Sequence, residues 1–151
     1  MAAPTYAETA SLYRQRGYEC ACGDVRMAAR AVTRFYDGFF AECGVGANQV
    51  ALLWAVMATE PAPVHALAQA IAADASTLTR NLKALEREGY LLAATGRDKR
   101  ERRYRLSRKG QALMVRALPC WEQAQASLAA RLGGGSLPEI TGQLLRLAAV
   151  T

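Results

Sequence analysis

The chain is short of the residues that catalysis draws on most. It has one histidine, His65, in 151 residues. No phosphate loop, Gly-x-Ser-x-Gly elbow or His-Glu-x-x-His run accompanies it, so enzyme activity is not expected. The four cysteines, Cys20, Cys22, Cys43 and Cys120, include no C-x-x-C pair. With a single imidazole, that spacing argues against a structural zinc site, and neither metal nor cofactor is expected. No apolar run reaches the roughly 20 residues that a membrane-spanning helix needs. The N-terminal stretch MAAPTYAETASLYRQRGYE also lacks the apolar core of a signal peptide. These absences point to a cytoplasmic protein with no membrane partner and mainly reduced thiols. There is no internal repeat and no low-complexity segment.

What is present favours helix. Hydrophobic residues make up 52% of the chain, with much alanine and leucine, and the length suits one domain, residues 1–151. The net charge is +6. Its distribution is uneven: Arg97–Lys109 holds eight basic and two acidic residues, an excess equal to that of the whole chain. A localised basic patch points to a phosphate-bearing partner, although a solvated charged loop gives the same composition.

Apolar spacing divides the chain into helices. A short one is expected over Ala7–Arg16. Asp24 is placed to cap a second that runs to Phe40, with Val25, Val32, Phe35, Tyr36 and Phe39 at three- and four-residue intervals. A third is expected over Gln49–Thr59, with Val50, Leu53, Trp54 and Met57 on one face, ended by Pro61 and Pro63. His65 suits the cap of a helix over Ala66–Ala72, and Asp74 the cap of a helix over Ala75–Glu88. On the latter, Leu78, Leu82 and Leu85 form the inner stripe. Ser76, Arg80 and Lys83 fall opposite, with Thr77 beside them. Gly89 stops it. Tyr90–Ala94 and Arg102–Leu106 read as strands around a turn at Thr95-Gly96-Arg97-Asp98, giving a hairpin with a basic tip. Ser107 caps a long helix over Arg108–Arg131, in which Pro119 should produce a kink or a gap in hydrogen bonding. Gly133-Gly134-Gly135 precedes a last helix over Leu137–Val150. Trp54 and Trp121 read as core or dimer contacts.

Cap, helix, stop, hairpin and basic tip in this order form the layout of a winged helix-turn-helix. A helix seated in the major groove reads base edges from its N-terminal end and outer face. Here those positions are Ser76, Thr77, Thr79, Arg80 and Lys83, and the helix N-terminus also favours a phosphate oxygen. The wing residues Arg97, Asp98, Lys99, Arg100 and Arg102 flank it, and their arginines suit the electronegative minor groove. A winged helix can instead serve as a protein–protein adaptor that does not touch DNA. The basic wing argues against that reading.

Three segments carry a resemblance to the MarR family of bacterial transcriptional regulators. They are Asp74–Leu82, Leu85–Gly89, and the wing pattern Asp98-x-Arg100 followed after five residues by Leu106-Ser107-x-x-Gly110. The resemblance extends over the chain from Cys22 onward. It implies a mainly α fold with a small β-hairpin wing: a winged helix-turn-helix lobe, residues 47–107, joined to a helical dimerisation domain built from N- and C-terminal helices, residues 24–46 and 108–151. It implies a homodimeric repressor on double-stranded DNA, with a pseudo-palindromic operator whose half-sites lie about 34–36 Å apart. It implies Arg100 at the wing tip in the minor groove, with Asp98 holding wing arginines. Many members take a small aromatic effector between their lobes, so a small-molecule effector is a further expected partner. The apolar residues Phe35, Phe39, Phe40, Trp121, Leu128, Ile140 and Leu144 lie toward the two ends of the chain, where a partner surface would cover them.

The resemblance also bears on the cysteines. Cys22 falls where the organic hydroperoxide resistance regulators of this family carry their reactive thiol. Cys120 lies near the position of a second cysteine that bridges subunits in some of them. That subgroup places tyrosines on its second helix, and Gly46–Leu52 has none. Three readings stay open. Cys20, Cys22 and Cys120 could sense oxidants; Cys20 and Cys22 could bind a thiophilic metal with Cys43 or Cys120; or all four could be inert small residues.

Overall fold

A computed structural model describes residues 3–16, 20–71, 74–95, 102–133 and 136–150. The fold is mainly helical with one small antiparallel sheet. Its elements are α1 (Tyr6–Arg16), α2 (Ala21–Phe40), a 3-10 turn (Ala41–Cys43), α3 (Ala47–Ala58), β1 (Ala62–Pro63), α4 (Val64–Ala70), α5 (Ala75–Arg87), β2 (Leu91–Thr95), β3 (Arg102–Leu106), α6 (Arg108–Arg131) and α7 (Leu137–Ala148). The chain divides into two compact units, with the boundary inside α2 between Arg34 and Phe35. The first unit holds α1 and most of α2. Its helices leave Tyr6, Tyr13 and Met27 exposed.

The core lies in the second unit. Leu53, Val56, Leu67, Leu78, Leu82, Leu85, Leu91, Tyr104 and Leu113 are all buried there. The leucine stripe of α5 thus closes against α3, α4, the sheet and α6. Asp37, at the end of α2, accepts the Ala47 N–H at 2.7 Å and so caps α3 from a neighbouring helix. Tyr36 donates its hydroxyl to Gln125 Oε1 at 2.7 Å, joining the end of α2 to α6.

Several boundaries differ from the sequence expectation. α2 begins at Ala21, with Asp24 in its first turn, where a carboxylate suits the positive end of the helix. His65 is not the cap of α4. The helix opens at Val64 behind Pro63, whose φ of −75° and ψ of 148° supply the extended entry. Pro119 sits within an unbroken α6. α3 buries Leu52 and Val56 as well as Val50 and Leu53, so its apolar face is broader than one stripe. The sheet has a third strand: β1 pairs with β3, Ala62 opposite Tyr104, giving the order β1-β3-β2. The expected hairpin forms with Leu91 opposite Leu106 and Thr95 opposite Arg102.

α5, the sheet and α6 meet at a close junction. α5 ends in a Schellman motif, with Tyr90 N–H donating to Leu85 C=O and Gly89 N–H to Glu86 C=O. Gly89 carries the required positive φ, +80°. Ser107 caps α6 by accepting the Gly110 N–H at 3.0 Å and donates its own hydroxyl to Gly89 C=O at 2.6 Å. A Cβ on Gly110 would stand 2.3 Å from the Tyr90 carbonyl oxygen, so backbone would have to move to admit one. Gly110→Ala should therefore destabilise the fold by about 1–3 kcal/mol, the range for overpacking. Thermal and urea unfolding check this; unchanged stability would contradict the stated contact.

Candidate nucleic-acid interface

α5 turns its leucines inward and leaves Ser76, Thr77, Thr79, Arg80 and Lys83 exposed. Asp74 organises its first turn. One carboxylate oxygen accepts both the Thr77 N–H at 2.8 Å and the Ser76 hydroxyl at 2.6 Å. Those two groups and the Thr77 side chain hold the Asp74 carboxyl well below the usual aspartate range. Asp74 therefore occupies part of the helix N-terminus that the sequence offered to a phosphate. Thr79 donates its hydroxyl to Ala75 C=O at 2.7 Å. The hydroxyl protons of Ser76 and Thr79 are engaged within the protein, and both oxygens keep acceptor capacity. Arg80 and Lys83 supply the positive charge of this face.

The hairpin stands beside α5 and is tied to it. Arg102 donates through Nη2 to both carboxylate oxygens of Glu86, at 2.9 and 2.7 Å. Its guanidinium also lies 5.5 Å from the Tyr104 ring centre. Arg102 thus braces the base of the wing against α5. Lys109 donates to Glu88 C=O at 2.7 Å and lies over the Tyr90 ring at 4.5 Å. Arg105 and Arg108 are exposed next to it. Arg97, Asp98, Lys99 and Arg100 lie outside the described residues.

Two further features lie in the second unit. A cleft of about 350 Å³ is lined by Val50, Trp54, Met57, Met114 and Trp121, with Glu60 and Gln111 as its polar members. The two indoles meet edge-on at 5.2 Å. Sequence periodicity placed these tryptophans in a core or interface. It gave no sign of the cleft, because α3 and α6 are separated along the chain. Glu60 accepts the Leu106 N–H at 2.5 Å and so anchors the cleft to β3. Cys120 faces Cys43, with the sulfurs 3.7 Å apart. Cys20 and Cys22 are exposed free thiols in the first unit. No three metal-ligating side chains converge among the described residues.

Comparison with known proteins agrees with this geometry. Residues 45–110 match the model of a winged helix DNA-binding domain. The fold is similar to the M. tuberculosis transcriptional regulator MosR in complex with DNA. The identity is 32% and the TM-score 0.78, over 86% of this chain and 94% of that one. It is also similar to MarR from E. coli, at 16% identity and a TM-score of 0.69, over 87% of this chain and 98% of that one. MepR of S. aureus, in complex with DNA, aligns at 15% identity and a TM-score of 0.72, over 87% and 98% of the two chains. No curated protein sequence matches.

The Asp74 cap makes a pH-dependent prediction. Its carboxyl is more acidic folded than unfolded. The stability it contributes is therefore complete above the unfolded value near 4 and is lost as pH falls through the folded one. The stability gap between the parent and Asp74→Ala should hold at neutral pH and narrow below about pH 4. Urea midpoints across pH 2.5–7 measure it, and a gap that widens on acidification would contradict the assigned cap.

Proposed function

The chain belongs to the MarR family of winged helix-turn-helix transcriptional regulators, and from that premise we propose that it acts as a homodimeric repressor. It is a DNA-binding regulator and not an enzyme. In this reading residues 47–107 form the DNA-binding lobe, and residues 24–46 and 108–151 the dimerisation helices. The observation that carries the reading is the exposed Ser76/Thr77/Arg80/Lys83 face of α5, held rigidly beside a basic hairpin. Dimerisation draws support from α7, which buries none of its residues and leaves Leu144, Leu145 and Leu147 exposed.

α5 enters the major groove, where Arg80 reads a base edge and Ser76, Thr77, Thr79 and Lys83 contact bases or backbone. Arg100, with Arg97 and Lys99, reaches the flanking minor groove, steadied by Asp98. Arg102 acts mainly by positioning the wing. Twofold symmetry then requires two half-sites about one helical turn apart. A signal releases the repressor by changing the spacing of the two α5 helices, which breaks many phosphate contacts at once. Two inputs have structural support. The tryptophan-lined cleft suits a small apolar, aromatic effector, and its carboxylate at Glu60 favours a neutral or cationic one. Cys20 and Cys22 are exposed and open to oxidants or thiophilic metals.

Gel shifts with DNA upstream of the protein's own coding sequence test this proposal. Arg80→Ala should lose about 5- to 150-fold in preference for operator over unrelated DNA, the worth of one bidentate base contact. Arg100→Ala should weaken binding more evenly and flatten the salt dependence. Binding by both variants equal to that of the parent would refute the interface. Weak salt dependence without preference among fragments would favour the protein–protein adaptor. Release by hydroperoxide or soft metal that persists in Cys22→Ala would remove Cys22 as sensor and leave the DNA interface standing.

A further inference from the structure

We propose that Cys43 and Cys120 form a second oxidisable site, a dithiol that closes to an intrachain disulfide when a hydroperoxide enters the cleft beside it. This goes beyond the repressor reading, since it concerns neither the exposed Cys20/Cys22 pair nor a bond between subunits.

The two sulfurs are 77 positions apart in the chain and 3.7 Å apart in space. A disulfide bond is about 2.05 Å long, so closure needs roughly 1.6 Å of approach. Both ends have room to supply it. Cys43 ends a single 3-10 turn followed by Gly44, whose φ is +70° and whose Cα faces open space. Cys120 follows Pro119, which cannot donate the backbone hydrogen bond that would stiffen α6 at that point. The Cys120 thiol points its proton at Arg116 C=O, which directs the Cys43 S–H toward the Cys120 sulfur. A polar cleft of about 530 Å³, lined by Glu42, Arg116 and Gln123, opens onto both cysteines and admits a small oxidant. Burial and the adjoining Cys120 sulfur push the Cys43 thiol up, which suits Cys43 to the second, resolving attack.

The chemistry balances with one hydroperoxide. The Cys120 thiolate attacks the terminal peroxide oxygen, the O–O bond breaks, and the alcohol leaves with a proton. The resulting Cys120 sulfenic acid is attacked by the Cys43 sulfur. The S–O bond breaks and water leaves as the S–S bond forms. Two thiols are oxidised by two electrons and the peroxide is reduced by two.

The position of the bond gives it consequence. Every residue of α3, α4, α5 and the sheet lies between Cys43 and Cys120 in the chain. Closure would pin the point where the DNA-binding lobe begins to the helix by which it ends.

The test uses the full chain carrying Cys20→Ser and Cys22→Ser, treated with tert-butyl hydroperoxide. The expected product is monomeric in denaturant, two hydrogens lighter, and linked between the tryptic peptides that hold Cys43 and Cys120. Its Tm should rise by about 10 °C, as expected for a crosslink closing a loop of this length, and dithiothreitol should reverse the shift. Cys43→Ser should abolish both. The same peptide map on the unsubstituted chain reads the bond without any variant, because Arg26, Arg34 and Arg116 separate the cysteine peptides. Free thiols after full exposure, sulfinic acid at either cysteine without a link, or a link between two chains would each overturn the proposal. None of these readouts involves DNA, so this site can fail while the operator-binding reading stands.

Discussion

The Ser107 hydroxyl holds the second unit in register. It donates to the carbonyl that follows α5 and accepts the amide in the first turn of α6, while the Ser107 N–H takes the Tyr90 carbonyl at 2.9 Å. Three elements therefore share one buried polar knot. Each of its donors and acceptors is satisfied, and a buried group left without a partner would cost about 1–3 kcal/mol. The surrounding residues follow from the knot. Gly89 supplies the left-handed turn that presents its carbonyl. Gly110 omits the Cβ that would strike the Tyr90 carbonyl. Lys109 adds a charged donor to the Glu88 carbonyl. The Leu-Ser-x-x-Gly pattern is thus a geometric requirement for seating α5 and the wing on α6.

Much of this was legible in the sequence because it rests on local chemistry. Asp74 and Ser107 are caps of the right type ahead of apolar periodicity, and both cap as expected. Gly89 marks the end of α5 because no other residue enters that turn as cheaply. The leucine stripe of α5 is fixed by its spacing alone. What the sequence hid depends on pairs distant along the chain or on weak local signals. β1 is two residues long and contains a proline, so it has no alternation to detect. His65 stands just ahead of the apolar spacing of α4, but Pro63, two residues earlier, already supplies the extended entry. Glu86 gave no sign of being the partner of Arg102 sixteen positions away, nor Cys43 of facing Cys120.

The interface also shows how a helix face divides its work. Near the start of α5 the hydroxyls turn inward to the Asp74 carboxylate and a backbone carbonyl, which fixes the helix end. The charged side chains farther along remain in solvent with long, adaptable stems. The rigid part sets position and the cationic part supplies attraction. Arg102 is engaged within the protein instead. Its exposed ion pair with Glu86 contributes at most about 1 kcal/mol of stability, yet it fixes the angle between hairpin and helix.

β1 has one more consequence. It forms one rim of the small sheet, and Pro63 there has no N–H to offer. A stray strand from another copy meets a proline where it needs a donor, so that rim resists edge-to-edge aggregation. The two-residue strand thereby keeps the β3 side of the hairpin from serving as a template for fibres.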